Sequence, residues 1–288
     1  MTVNVLVPSS LAREAEDKRE ATRKLGYVAR AATIFRADRL IVYPDREGER
    51  GFDGEFVRTV LRYAATPPYL RKEAWGKREE LEYVGVLPPL HATSQTGSES
   101  NGSGSSRQGI VTEVGPDHRV RVNCGLQHPI SLNVPPEMAL EEGERVTVRI
   151  SSRRPVRAKL VDEPLPGLSV ERTDLQAALG REDAGVRIAA SRFGEPLTIG
   201  RLETLAGDIE RDGLTVAFGA PERGLPDILD IDEAAVEAAG GEADANVEPS
   251  DLETGFDLWL NTVPDQGSAV VRTEEALFAT MASLSLQA

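Results

Sequence analysis

Residues 93–106 run through SQTGSES and NGSGSS, serine and glycine with almost nothing apolar, so this stretch has no means of building a core. It reads as a flexible linker, and the hydrophobic pattern differs on its two sides. Upstream, Val3-Asn4-Val5-Leu6-Val7 is a strand, Pro8-Ser9-Ser10 closes it with a serine suited to capping, and residues 11–32 read as helix. Arg39-Leu40-Ile41-Val42-Tyr43 is a second strand ended by Pro44-Asp45, and strand, helix, strand predicts a parallel crossover. After a polar loop at 48–54, residues 55–65 place Phe56, Val60, Leu61 and Ala64 on one side of a helix that Thr66-Pro67-Pro68 stops. A short basic, aromatic segment follows at 69–75.

Downstream of the linker the runs become short and alternating, at 109–114, 119–123, 130–134 and 145–150, with Gly115-Pro116, Gly125, Pro135-Pro136 and Gly143 between them. Such spacing predicts a small β-barrel, most simply of OB type. Its last strand region carries Arg149, Arg153, Arg154, Arg157 and Lys159, which either protect an edge or contact RNA; a basic rim on a barrel favours RNA. After Pro164-Leu165-Pro166-Gly167 the α/β pattern returns, with strands at 186–190 and 214–218, a short helix within 199–209 and an acidic, alanine-rich exposed loop at 230–249. The expected domains are therefore 1–92, a linker at 93–106, an inserted barrel at 107–163, and 164–288.

Charge sharpens this division. The chain carries a net charge of −14, yet residues 164–288 hold 8 basic and 24 acidic residues, while 1–95 hold 16 and 14 and 107–163 hold 9 and 8. Lysine is confined to Lys18, Lys24, Lys72, Lys77 and Lys159, and arginine supplies the remaining positive charge. The excess of carboxylates suggests a salt-adapted surface. Arginines kept against that bias are candidates for phosphate contact. No apolar run reaches bilayer length and no basic segment precedes the first short one, so the expected location is the cytoplasm, without a membrane partner. Cys124 stands alone and is expected to be a small buried residue, and His91, His118 and His128 lack ligand spacing, so no metal is expected.

Residues 256–284 read as strand, glycine-closed loop and helix. Phe256, Leu258, Trp259 and Leu260 are the apolar run, Thr273 is a candidate N-cap, and Leu277, Met281 and Leu284 form one helix face. With Glu274 and Glu275 in the first turn, this helix start disfavours phosphate and suits a neutral or cationic ligand, though an ordinary capped strand and helix explains the same residues. The strand at 214–218 also runs into a glycine-rich loop, 219–226, so two adjacent strand ends are expected to deliver backbone groups to one pocket. Neither GxxxxGK[ST] nor GxGxxG occurs at a strand end, which sets nucleotide hydrolysis aside.

The segments GYVARAATIFRADRLIVY, VRTVLRYAATPPYLRK, YVGVLPPL, FGAPERGLPDIL and LNTVPDQGSAVVRTEEALFATMASL together resemble the archaeal and eukaryotic RNA methyltransferases of the SPOUT superfamily. That resemblance implies an α/β trefoil-knotted fold with an OB-like insertion, a homodimer, S-adenosylmethionine as cofactor and ribosomal RNA as substrate. By position it implies a cofactor site of Gly219, Ala220, Glu222, Gly224, Asn261, Val263, Pro264, Gln266, Gly267, Thr273 and Glu275. Ala220 departs from the hydroxyl residue expected in many relatives. If a uridine N3 is the acceptor, Arg36 or Arg223 would stabilise the developing anion and Glu222 or Asp265 would take the proton; the alternative for both arginines is a structural ion pair. The competing function is a non-catalytic RNA-binding or ribosome-assembly factor that keeps the fold.

Overall fold

The structure, a computed structural model, describes residues 1–90, 105–153, 155–240, 252 and 254–285. Most of the linker, the acidic segment beyond 240 and Arg154 lie outside the described residues, as does the side chain of Arg153. The strands are β1 (Val3–Pro8), β2 (Arg39–Tyr43), β3 (Ser105–Gly115), β4 (Arg119–Asn123), β5 (Ile130–Asn133), β6 (Arg145–Arg153), β7 (Val156–Val161), β8 (Ser169–Arg172), β9 (Val186–Pro196), β10 (Leu214–Phe218) and β11 (Leu258–Asn261). The helices are α1 (Lys18–Ile34), α2 (Gly54–Ala65), α3 (Arg71–Trp75), α4 (Leu175–Leu179), α5 (Ile199–Asp212), α6 (Leu225–Leu229), α7 (Glu233–Gly240) and α8 (Thr273–Leu284). They divide into two compact units, one of Met1–Arg62, Glu80–Pro89 and Leu168–Ala288, the other of Tyr63–Glu79 and Leu90–Gly167.

The first unit is built on a six-stranded sheet of order β11-β9-β10-β1-β2-β8, parallel throughout. Every residue of β1 and β10 is buried, which is why VNVLVP and LTVAF are near-continuous apolar runs. The buried polar exceptions are satisfied: Asn4 Nδ2 donates to Thr215 Oγ1 at 3.0 Å, and Thr215 Oγ1 donates to the Ala184 carbonyl at 2.6 Å. Trp259, Tyr43 and Phe218 are fully buried, each worth about 2–3 kcal/mol of burial.

Several boundaries differ from the sequence reading: Ser105 and Ser106, read as linker, begin β3 by pairing with β6, and β9 extends past 190 to Pro196; two other differences bear on function. Helix α1 begins at Lys18, where the Asp17 carboxylate accepts from the Glu20 N–H at 2.7 Å; Ser10 does not cap it. Instead residues 9–15 form successive turns, because the hydroxyls of Ser9 and Ser10 are committed to Asp45 at the end of β2. The expected acidic loop contains helix α7, whose Val236 is fully buried; alanine favours helix and one apolar anchor suffices to dock it.

The second unit carries a five-stranded antiparallel sheet of order β5-β4-β3-β6-β7. Strand β4, RVRVN, alternates exposed arginine with buried valine, the mark of a sheet with one face on a core. That core includes Val111, Val122, Val148, Leu160 and the buried, unpaired Cys124. The segment 69–75 belongs to this unit, where the Tyr69 hydroxyl donates to the Gln108 carbonyl at 2.9 Å. Among the described residues no helix is long and apolar enough to cross a membrane.

Candidate functional site

Strands β11, β9 and β10 are parallel neighbours, so their carboxyl ends open side by side, and the chain leaving them encloses a cavity of about 210 Å³. One wall is the loop after β10. Ala220 and Arg223 exchange backbone hydrogen bonds at 2.9 and 3.1 Å, and Glu222 between them takes a left-handed φ of 56°. Such a conformation in a glutamate stores about 1 kcal/mol, the kind of strain found at ligand-binding turns. Gly219 is required by space: a Cβ there would sit 2.8 Å from the Cα of Gly224 and 2.9 Å from the Arg223 carbonyl oxygen. The buried Tyr43 hydroxyl, its pKa pushed up by burial, donates to the Phe218 carbonyl at 2.6 Å and holds the loop's origin.

The second wall is the turn after β11. Asn261 donates from Nδ2 to the Arg192 carbonyl at 3.0 Å and accepts at Oδ1 from the Val263 N–H at 3.0 Å, tying the end of β9 to the turn. The third wall is the start of α8, where the structure corrects the sequence reading. The N-cap is Arg272, whose N–H donates to the Glu275 carboxylate at 2.9 Å. Thr273 is the first helical residue, and its hydroxyl donates to the Gly219 carbonyl at 2.9 Å, joining α8 to the β10 loop.

The acid at this helix start also lies elsewhere than expected. Glu274 is buried against Lys24, which also pairs with Glu14, and Glu275 is occupied with the cap, so neither lines the cavity. The carboxylates that do are Glu222, Asp227 and Glu233. Asp227 accepts from the Gly224 N–H at 2.8 Å, and Glu233 stands 3.9 Å from Arg192. A cationic ligand remains the better match, through different residues from those the sequence argument used.

Gly219, Ala220, Glu222, Gly224, Asn261, Val263, Gln266 and Thr273 line the cavity, and Arg223 joins them. Pro264 and Gly267 share the β11 loop but not the lining, and Asp265 is exposed there at φ 55°. Arg36 is exposed on the turn after α1 at φ 55°, away from the lining. Arg223 is ion-paired: its Nε lies 3.1 Å from both oxygens of Asp45, its Nη2 3.1 Å from one of them, and these bonds raise its pKa. In the second unit Arg149 pairs with Glu163 and faces Lys159 across β6 and β7, while Arg157 and Lys159 are exposed.

Sequence reasoning passed over the contribution of β9, whose Ser191, Arg192 and Phe193 complete the cavity. The signal was present, since Ser191-Arg192-Phe193-Gly194 carries a third glycine after an apolar run; it reads as the end of the strand at 186–190, but β9 continues through it to Pro196 because it pairs on with β11. Gly194 marks its position: a Cβ there would lie 2.5 Å from the backbone of Trp259, so β9 and β11 touch where their register shifts.

Comparison with known proteins gives the family of the chain. Residues 2–284 match the model of a family described as Putative RNA methyltransferase. The chain belongs to that RNA methyltransferase family. Within it the chain is 68% identical over 287 residues to an uncharacterized protein of Haloarcula marismortui, covering 99% of each. It is 67% identical over 286 residues to one of Halobacterium salinarum, again 99% of each. To the 28S rRNA (uridine-N(3))-methyltransferase of Homo sapiens it is 30% identical over 318 residues, 98% of this chain and 77% of the relative. As a member of the RNA methyltransferase family, this chain is an enzyme that acts on RNA.

Proposed function

We propose that this protein is an S-adenosylmethionine-dependent methyltransferase of ribosomal RNA and that its acceptor is N3 of a uridine. The observation that carries this reading is the cavity at the carboxyl ends of β9, β10 and β11, found in a chain 30% identical to the human uridine-N(3) enzyme. Its residues fit the cofactor: backbone of the Gly219 and Asn261 loops for the polar groups of a nucleoside, and Glu222, Asp227 and Glu233 for positive charge. When bound, S-adenosylmethionine supplies a methyl group on a sulfonium. A uridine N3 that accepts this methyl would have to give up its proton to the protein or solvent.

The chain's own part is positioning and proton management. On this reading Glu222, which is exposed and lines the cavity, takes the N3 proton. Arg223, held by Asp45, lies beside it and stabilises negative charge on the uracil ring. Arg36 enters only through a second copy of the chain, as in the homodimer that the resemblance implies. The trefoil-knotted SPOUT fold rests on the family resemblance, and the parallel pairing of β1 with β10 sets residues 3–6 beside 214–217 at the centre of the sheet. The antiparallel sheet of the second unit supports an OB-like insertion, with Arg149, Arg157 and Lys159 as RNA contacts.

Calorimetric titration with S-adenosylmethionine in high-potassium buffer, followed by primer extension on ribosomal RNA treated with the enzyme, tests the proposal. Saturable binding and a new stop at one uridine are expected, because a methyl on N3 blocks base pairing. A folded protein that binds no cofactor would leave the RNA-binding or assembly role in its place.

A further inference from the structure

The cavity occupies only half of the sheet's carboxyl edge. Past Arg223 the edge continues through the ends of β10, β1 and β2, and each contributes an arginine from the segment that follows it. Arg223 follows β10, Arg13 lies in the turns after β1, and Arg50 lies in the loop after β2. One set of bonds joins two of them, Arg13 and Arg223, and the charge of Arg50 acts on Arg13. The Arg13 N–H donates to the Ser10 carbonyl at 2.9 Å, the Ser10 hydroxyl donates to Asp45, and Asp45 holds Arg223 at 3.1 Å.

The three guanidinium groups differ in how they are satisfied. Arg223 is paired with Asp45 and stands 3.6 Å from Glu47. The Arg13 Nε is buried and has no hydrogen-bond partner among the described residues. Arg50 is exposed and its side chain is likewise without a partner among the described residues. Burial, then Arg50 and Arg223, lower the Arg13 pKa, so its charge sits close to two like charges, with Asp45 and Glu222 only partly offsetting them. A buried guanidinium donor left open beside two further cations is an anion site, and a planar fork of donors matches phosphate.

We infer that Arg13, Arg50 and the Asp45-held Arg223 form a docking site for backbone phosphates of the RNA strand whose base enters the cavity. The inference rests on the RNA methyltransferase reading and deepens it. S-adenosylmethionine has no phosphate, so the anion belongs to the substrate, and Glu222 and Arg223, which line the cavity, also adjoin this cluster. Strand placement follows: phosphates lie over β1 and β2, and the base reaches across the 219–226 loop toward β9 and β11.

The test uses the full-length protein, a fluorescent single-stranded oligouridylate as probe, and affinity measured against potassium concentration. Arg13→Gln and Arg50→Gln are each expected to weaken binding about tenfold at low salt. Each is also expected to reduce the slope of log affinity against log salt by about 0.7. Arg13→Lys, which keeps the charge, should restore most of the slope. S-adenosylmethionine titration is expected to match the parent in every variant, and parent-like thermal unfolding shows that the fold is intact. Parent-like RNA affinity and slope in both glutamine variants would overturn the inference while leaving the cofactor site standing. Weaker binding with an unchanged slope, or no binding of the oligouridylate by the parent, would overturn it too. Failure of the parent to bind S-adenosylmethionine would instead count against the enzyme reading.

Discussion

The loop between Phe218 and Leu225 separates two settings of opposite character. On the β9 and β11 side, small and apolar residues, backbone groups and the carboxylates of Glu222, Asp227 and Glu233 line a cavity of about 210 Å³. On the β1 and β2 side, Arg223 is paired with the buried carboxylate of Asp45, Arg13 feels that carboxylate, and the charge of Arg50 acts on Arg13. On the proposed function, the difference would let one sheet edge serve two ligands of unlike charge, carboxylates meeting a cation and guanidiniums a polyanion, with Arg223 and Glu222 at the seam between them.

If the two sides are separable, changes on one should spare the other. The largest effect is expected from Gly219→Trp, because even a Cβ at that position meets backbone at 2.8 Å. Calorimetry should find S-adenosylmethionine binding abolished, whereas oligouridylate binding, read by anisotropy, survives; loss of both would show the loop acting as one unit. Next is Asp45→Ala, which leaves Ser10 and Arg223 without their acceptor. Chemical denaturation should register a loss of about 2–3 kcal/mol, and methyl transfer should fall more than cofactor affinity does.

A smaller effect belongs to Thr273→Val, which keeps shape and removes the hydrogen bond to the Gly219 carbonyl. One such bond is worth about 1 kcal/mol, so cofactor affinity should weaken about fivefold with no change in the salt dependence of RNA binding. The smallest is Arg187→Ala, at the amino end of β9, where the ion pair with Asp257 is substantially exposed. Thermal unfolding should shift by less than the equivalent of about 1 kcal/mol, and neither ligand should be affected. A large effect on either ligand would mean that the sheet transmits strain to its carboxyl edge.

Much of this arrangement was legible in the residues. Strands β4 and β10 match the runs read from sequence residue for residue, since alternation in one and continuous burial in the other are unmistakable patterns. The cavity walls at 219–226 and 261–267 followed from glycine loops after apolar strands. Other features were beyond local reading. A serine after a strand looks like a helix cap, and only the proximity of β1 and β2 reveals that Ser10 serves Asp45 instead. Two glutamates at a helix start look ligand-facing until Lys24 on α1 is seen to neutralise Glu274. Thr273 likewise gave up the cap to Arg272 because Gly219 stood within reach.

By itself the sequence determined where most of the longer strands and helices form, where the β-rich segment interrupts them, and which loops after apolar strands carry glycine. These follow from periodicity and backbone freedom, which are properties of neighbouring residues. Only the tertiary structure decided which strand ends stand together, and therefore that Arg223 is shared between a carboxylate-lined cavity and an arginine cluster. The reason is physical: Asp45 and Arg223 are 178 positions apart, and an ion pair at that separation depends on sheet order, which no local pattern encodes.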